Sequence, residues 1–134
     1  MIRVSHDAEG RPDAAGPDRL RVRSEVRGPC LLVEAGGELT LVTAGRLREH
    51  VLADIGRLDG PPKVVMDIGG VGFCDSSGLN ALIVLWKAAR GAGGELVLAR
   101  PERRFRTIIE RSGLDRHLIA YETPEQAIAA LTEP

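Results

Sequence analysis

Aromatic side chains are nearly missing from this sequence: one Trp, one Tyr and two Phe make up 3% of its residues. Bases of a single strand stack on such rings, so a single-stranded nucleic-acid platform is excluded. An excess of charge of either sign is missing too. The formal net charge is -1, which provides no bulk attraction to nucleic acid or to a membrane surface. Cysteine is scarce. Cys30 and Cys74 form neither a disulfide framework nor a metal-ligand spacing, and read as small apolar residues. No apolar run approaches the roughly 18–20 residues that span a bilayer. The first ten residues lack the apolar core of a signal peptide, so a cytoplasmic protein is expected. No cofactor motif and no His/Cys/Asp/Glu cluster with metal-ligand spacing is found.

What is present suits one domain. The 134 residues are 43% hydrophobic and 28% charged, enough for a real core. Residues 1–18 are polar and turn-rich and read as a flexible tail, leaving 19–134 as the folded domain. Leu20–Val26 alternates as a half-buried strand does, Gly28-Pro29 turns the chain, and Cys30–Ala35 makes a second strand. Thr43 is placed to cap a first helix, with Leu47, Val51, Ile55 and Leu58 along one face. Lys63–Ile68 is a nearly continuous apolar strand, the pattern of one covered on both faces. A glycine-bearing connection follows, then a second helix from about Ser77 to Arg90, whose core stripe is read as Leu79, Leu82, Ile83, Trp86 and Ala89, with Leu85 beside them. Asn80, Val84 and Lys87 fall opposite. Glu95–Ala99 is a strand. The third helix turns Phe105, Ile108 and Ile109 inward and solvates its arginines. His117–Tyr121 is the last strand, and Thr123-Pro124-Glu125-Gln126 caps a terminal helix. Strands alternating with helices imply an α/β fold with a single, mostly parallel mixed sheet of about five strands and about four helices.

The stretch with most chemical content is Cys74-Asp75-Ser76-Ser77-Gly78, where the third strand gives way to the second helix. A helix start points backbone N–H groups outward and tolerates an anion. A hydrolase elbow is not matched, because the G-x-S-x-G frame is missing and His6, His50 and His117 fall in the tail, on a helix and on a strand. Gly69-Gly70-Val71-Gly72 lacks the spacing of a phosphate loop and reads as a glycine-rich strand exit.

These residues resemble a known family. Val64–Ile68 followed by Val71-Gly-Phe-Cys-Asp-Ser-Ser-Gly-Leu79 is similar to the signature of STAS domains, and in particular to anti-sigma-factor antagonists of bacterial partner-switching systems. Gly37-Glu38-Leu39, Gly93-Gly94-Glu95-Leu96 and Phe105–Leu114 match further family segments, and the resemblance spans about residues 20–132. It implies a STAS fold and a non-enzymatic switch. The unphosphorylated protein would bind an anti-sigma factor that is also a serine kinase, freeing a sigma factor. The kinase would phosphorylate Ser76 and end the complex, and a serine phosphatase would reset it. Asp75, Ser77, Gly78 and Thr40 would surround the phosphosite, with Thr40 where the family often has aspartate. Glu38, Cys74, Asn80 and Val84 would meet the partner. No nucleic acid, membrane or cofactor is implied, and a monomer or weak dimer is expected. The alternatives are a STAS scaffold or accessory subunit, of stressosome or lipid-transport type, and a nucleotide-binding STAS module.

Overall fold

The computed structural model describes residues 19–133, so the expected tail at 1–18 lies outside the described residues. The chain starts as a hairpin, β1 (Leu20–Arg27) and β2 (Cys30–Leu39), with Arg27 opposite Cys30 and Gly28 at φ +59° in the turn, a conformation glycine adopts without a Cβ penalty. There follow α1 (Ala44–Gly56), β3 (Lys63–Cys74), α2 (Ser76–Gly91), β4 (Glu95–Ala99), α3 (Arg103–Ser112), a short 3-10 turn at Leu114–Arg116, β5 (Ala120–Tyr121) and α4 (Pro124–Thr132). The five strands lie side by side in chain order, antiparallel between β1 and β2 and parallel thereafter. This is the mixed, mostly parallel sheet expected from the alternation of elements.

The two faces of β3 explain its unbroken apolar run. Val64, Met66 and Ile68 enter the large core with Leu47 and Val51 of α1 and Leu82 and Leu85 of α2. Val65 points the other way, into a smaller cluster closed by Ala127 of α4. Period-2 alternation with both faces buried is the signature of an interior strand. On the α4 face Asp67 is buried and meets Arg100 through two contacts, Nε to Oδ1 at 3.0 Å and Nη2 to Oδ2 at 2.9 Å.

Six local readings need correction. β3 does not end at Ile68 but runs through the glycines to Cys74. Gly69 makes room for Arg100, whose guanidinium lies 2.8 Å from where a Cβ would stand. Gly70 packs 3.1 Å from Gly36 by the same measure. These glycines therefore serve strand packing, across register shifts in β2, and form no phosphate-cradling loop. Thr43 precedes α1 without a side-chain cap bond, and Leu58 falls beyond the helix. In α2 the deepest residues are Gly78, Ala81, Leu82, Leu85 and Ala89, while Leu79, Ile83 and Trp86 flank them. Small residues let the helix axis approach its neighbours, which pushes the bulky ones to the edges. Ile108 is exposed rather than inward, and β5 shrinks to two residues because the chain makes a 3-10 turn before it. Thr123 caps α4 as expected, its Oγ1 accepting from Gln126 N at 3.0 Å, while Gln126 Oε1 accepts from Glu122 N rather than from the Thr123 amide.

Beneath α1 a buried polar group joins two elements. His50 Nε2 lies 2.9 Å from Ser24 Oγ of β1 and 3.3 Å from Asp54 Oδ2, and Arg57 Nη1 meets Asp54 Oδ1 at 3.2 Å. Burial raises the Asp54 carboxyl, but hydrogen bonds to His50 and Ser24 and the charges of His50 and Arg57 outweigh it and hold the carboxyl below its usual range. A depressed folded value means stability that is present above the unfolded carboxylate pKa of about 4 and lost as pH falls through the folded value. Urea midpoints should therefore fall from pH 5 to pH 3 in the native chain, and fall less in Asp54→Asn.

Candidate functional site

The site grows from one approach of backbone to backbone. Asp75 N donates to Leu39 O at 3.1 Å, tying the end of β3 to the end of β2. α2 starts there, and Gly78 lies so close to β2 that an added Cβ would stand 2.4 Å from Leu39 O. Asp75 is the N-cap: its backbone is extended, and Oδ1 accepts from Gly78 N at 3.0 Å. Its other oxygen, Oδ2, accepts from Leu41 N at 3.1 Å. One carboxylate thus fastens the loop between β2 and α1 to the start of α2. The amides of Gly78, Leu41 and Ser77 hold the Asp75 carboxyl below the usual carboxylate range, the first contributing most, against a smaller opposing effect of desolvation.

By sequence this helix end suits a phosphate. The structure gives it to the carboxylate of Asp75 instead. Ser76, the first helical residue, is exposed, and its hydroxyl makes no hydrogen bond with any described residue. Ser76 and Ser77 line a shallow groove of about 410 Å³ with Leu41, Val42, Ala44, Gly45, Arg48 and Asn80. The α2 side of the groove offers hydroxyls and an amide. The loop side offers two exposed aliphatic side chains, Leu41 at 77% and Val42 at 68%. Large apolar residues exposed side by side commonly mark a contact surface.

Thr40 is a buried loop organiser. Its N donates to Thr43 Oγ1 at 2.9 Å, its Oγ1 accepts from Val42 N at 3.2 Å, and its carbonyl accepts from Ala44 N at 2.8 Å. Thr43 Oγ1 in turn donates to Glu38 O at 2.8 Å. A short polar side chain that accepts from the amide two residues on is what a turn needs here, and threonine meets that need.

The expected site residues divide accordingly. Asp75, Ser76, Ser77, Gly78 and Asn80 are brought together, with Thr40 directly behind the loop. Glu38 is half-buried opposite Phe73 in the sheet and does not line the groove. Cys74 does not line the groove and instead lines a small apolar cleft with Phe73, Phe105 and Ile108. Burial, and then the Asp75 charge, push its thiol up to about 12, so it is neutral at physiological pH and no nucleophile. Val84 is half-buried further along α2 and also misses the groove. Leu41, Val42 and Arg48 line it without having stood out in the sequence. For the first two a signal exists: two adjacent apolar residues between a strand end and a helix cap have no core to enter.

A strand-to-helix turn thus sets an exposed serine at the rim of a groove between α1 and α2. The chain belongs to the STAS domain family, whose model matches residues 21–127. It is 29% identical over 94 residues, 70% of this chain and 79% of the relative, to a Bordetella bronchiseptica protein described as the anti-sigma factor antagonist BtrV. The structure of an anti-sigma factor antagonist from Mycobacterium paratuberculosis superposes with a TM-score of 0.78 at 27% identity, covering 90% of this chain and 100% of that one. The Bacillus cell fate determinant SpoIIAA, solved in its phosphorylated form, shares the fold with a TM-score of 0.63 at 21% identity, covering 81% and 97%. Among the described residues no helix is long and apolar enough to cross a membrane.

Proposed function

We propose that this chain is an anti-sigma-factor antagonist controlled at Ser76. The unphosphorylated form binds an anti-sigma factor that is also a serine kinase and so releases a sigma factor. Phosphorylation of Ser76 ends that binding, and a serine phosphatase restores it. One observation carries the reading: the exposed, unbonded hydroxyl of Ser76 stands on a groove flanked by Leu41 and Val42. Such a hydroxyl is open to another protein's active site, and the apolar flank suits a partner's contact surface. A serine that only accepts a phosphoryl group needs no base of its own, since the kinase supplies it. The names of the Bordetella and mycobacterial relatives point the same way. The partner surface comprises Leu41, Val42, Ser76 and Asn80, with Val84 one turn beyond Asn80, and Glu38 and Cys74 supporting it from β2 and β3.

Incubation with the cognate kinase and ATP should add a single phosphate, located on Ser76 by fragmentation mass spectrometry and absent from Ser76→Ala. Phosphate found only on Ser77 or elsewhere would overturn the assignment.

A further inference from the structure

Arg48 projects from α1 into the groove that Ser76 borders. Its Nη2 stands 3.9 Å from where a Cβ on Gly45 would be, which puts the guanidinium along the groove wall beside that glycine. Arg48 is half-buried, and it makes no hydrogen bond or ion pair with any described residue. The other arginine near the start of α1, Arg46, is already engaged, donating from Nη2 to Leu20 O at 2.7 Å. Both oxygens of Asp75 are also committed, to Gly78 N and Leu41 N. A phosphate on Ser76 therefore finds the helix N-terminus taken by a carboxylate of its own sign, and one uncommitted cation across the groove.

We propose that Arg48 is the intramolecular counter-ion of phosphorylated Ser76, drawing the phosphate into the groove between α1 and α2. This rests on Ser76 as the acceptor and adds the group that receives the phosphate once it is there. A guanidinium presents a planar fork of donors that matches a phosphate's oxygens, and the dianion gains more from it than the monoanion does. The neighbouring Asp75 acts in the opposite sense, favouring the monoanion. The second ionisation of the phosphate reports the balance between them.

The test needs no kinase. Phosphoserine is incorporated at position 76 during expression by nonsense suppression, and the phosphate is titrated by phosphorus-31 NMR. Arg48→Ala should raise the midpoint of the second ionisation by about half a pH unit, as fits an ion pair partly open to water. Arg48→Gln, which keeps a polar side chain and three of its carbons without the charge, should do the same if the alanine variant folds poorly. Arg46→Ala is the control for net charge and should leave the midpoint in place. Unchanged midpoints in both Arg48 variants, or an equal shift in Arg46→Ala, would overturn the proposal. Failure of the kinase labelling is a separate result, because this titration depends only on where the phosphate sits.

Discussion

Ser76→Asp should bind an anti-sigma factor hundreds to thousands of times more weakly than Ser76→Ala. The two variants differ by one carboxylate on the groove rim. The Ser76 hydroxyl makes no hydrogen bond with any described residue, so alanine removes no side-chain bond that holds the fold or the contact surface. Aspartate places a second negative charge directly after Asp75, whose own charge is fixed by the amides of Gly78 and Leu41 and cannot move aside. Closing an interface over Leu41 and Val42 desolvates that added charge. An uncompensated buried charge costs about 3–5 kcal/mol, and each 1.4 kcal/mol is about tenfold in affinity. Phosphate carries about -1.5 to -2 charges, so the modification itself should act at least as strongly. Calorimetric titration of both variants measures the difference. Near-equal dissociation constants would place Ser76 outside the interface.

Gly78→Ala should lower the thermal midpoint by roughly 10 °C. The sign is the informative part. Within a helix, alanine is ordinarily favoured over glycine by about 0.5–1 kcal/mol. At this position the new Cβ would stand 2.4 Å from Leu39 O, 2.7 Å from Leu39 Cγ and 2.9 Å from Cys74 Sγ. The first is strand backbone and the second belongs to a fully buried side chain, so neither yields without moving α2 off the sheet. Overpacking of this kind costs about 1–3 kcal/mol or more, which outweighs the helix preference. Gly91, at the far end of the same helix, has open space where its Cβ would go, and Gly91→Ala should leave the midpoint unchanged or raise it. Circular-dichroism melts of the two variants decide between close contact and mere helix preference.

Much of this architecture is legible in the amino-acid sequence, and the reasons differ by element. The hairpin is legible because Leu20–Val26 largely alternates and Gly28-Pro29 turns the chain. The last helix is legible from its capping box. The sheet's parallel character follows from the alternation of strands with helical segments. The full length of β3 is hidden, because Gly69, Gly70 and Gly72 read locally as an exit. Only the third dimension shows that Gly69 is bare to admit Arg100 and Gly70 to admit Gly36. The stripe of α2 is legible at Leu82 and Ala89, but helical spacing of the large apolar residues misses the small Gly78 and Ala81, which close packing selects.

At the site, the residue types around Ser76 are legible and their division of labour is not. Asp75 reads in sequence as an anionic neighbour and is the clamp that joins the β2–α1 loop to α2. Thr40 reads as a departure from the family's common aspartate, and its part in ordering the turn before α1 is not visible in the sequence. Arg48 carries no signal, because a single arginine on an amphipathic helix is indistinguishable in sequence from its charged neighbours Arg46 and Glu49. Its importance depends on the groove, which exists only when α1 and α2 lie side by side.

The central claim is that one phosphate on Ser76 decides whether the partner stays bound. The direct measurement is the dissociation constant of the anti-sigma factor for the same preparation before and after stoichiometric phosphorylation of Ser76. Tight binding is expected before and a rise of at least several hundred-fold after, reversed by phosphatase treatment. An unchanged constant, with the phosphate verified on Ser76, would contradict it.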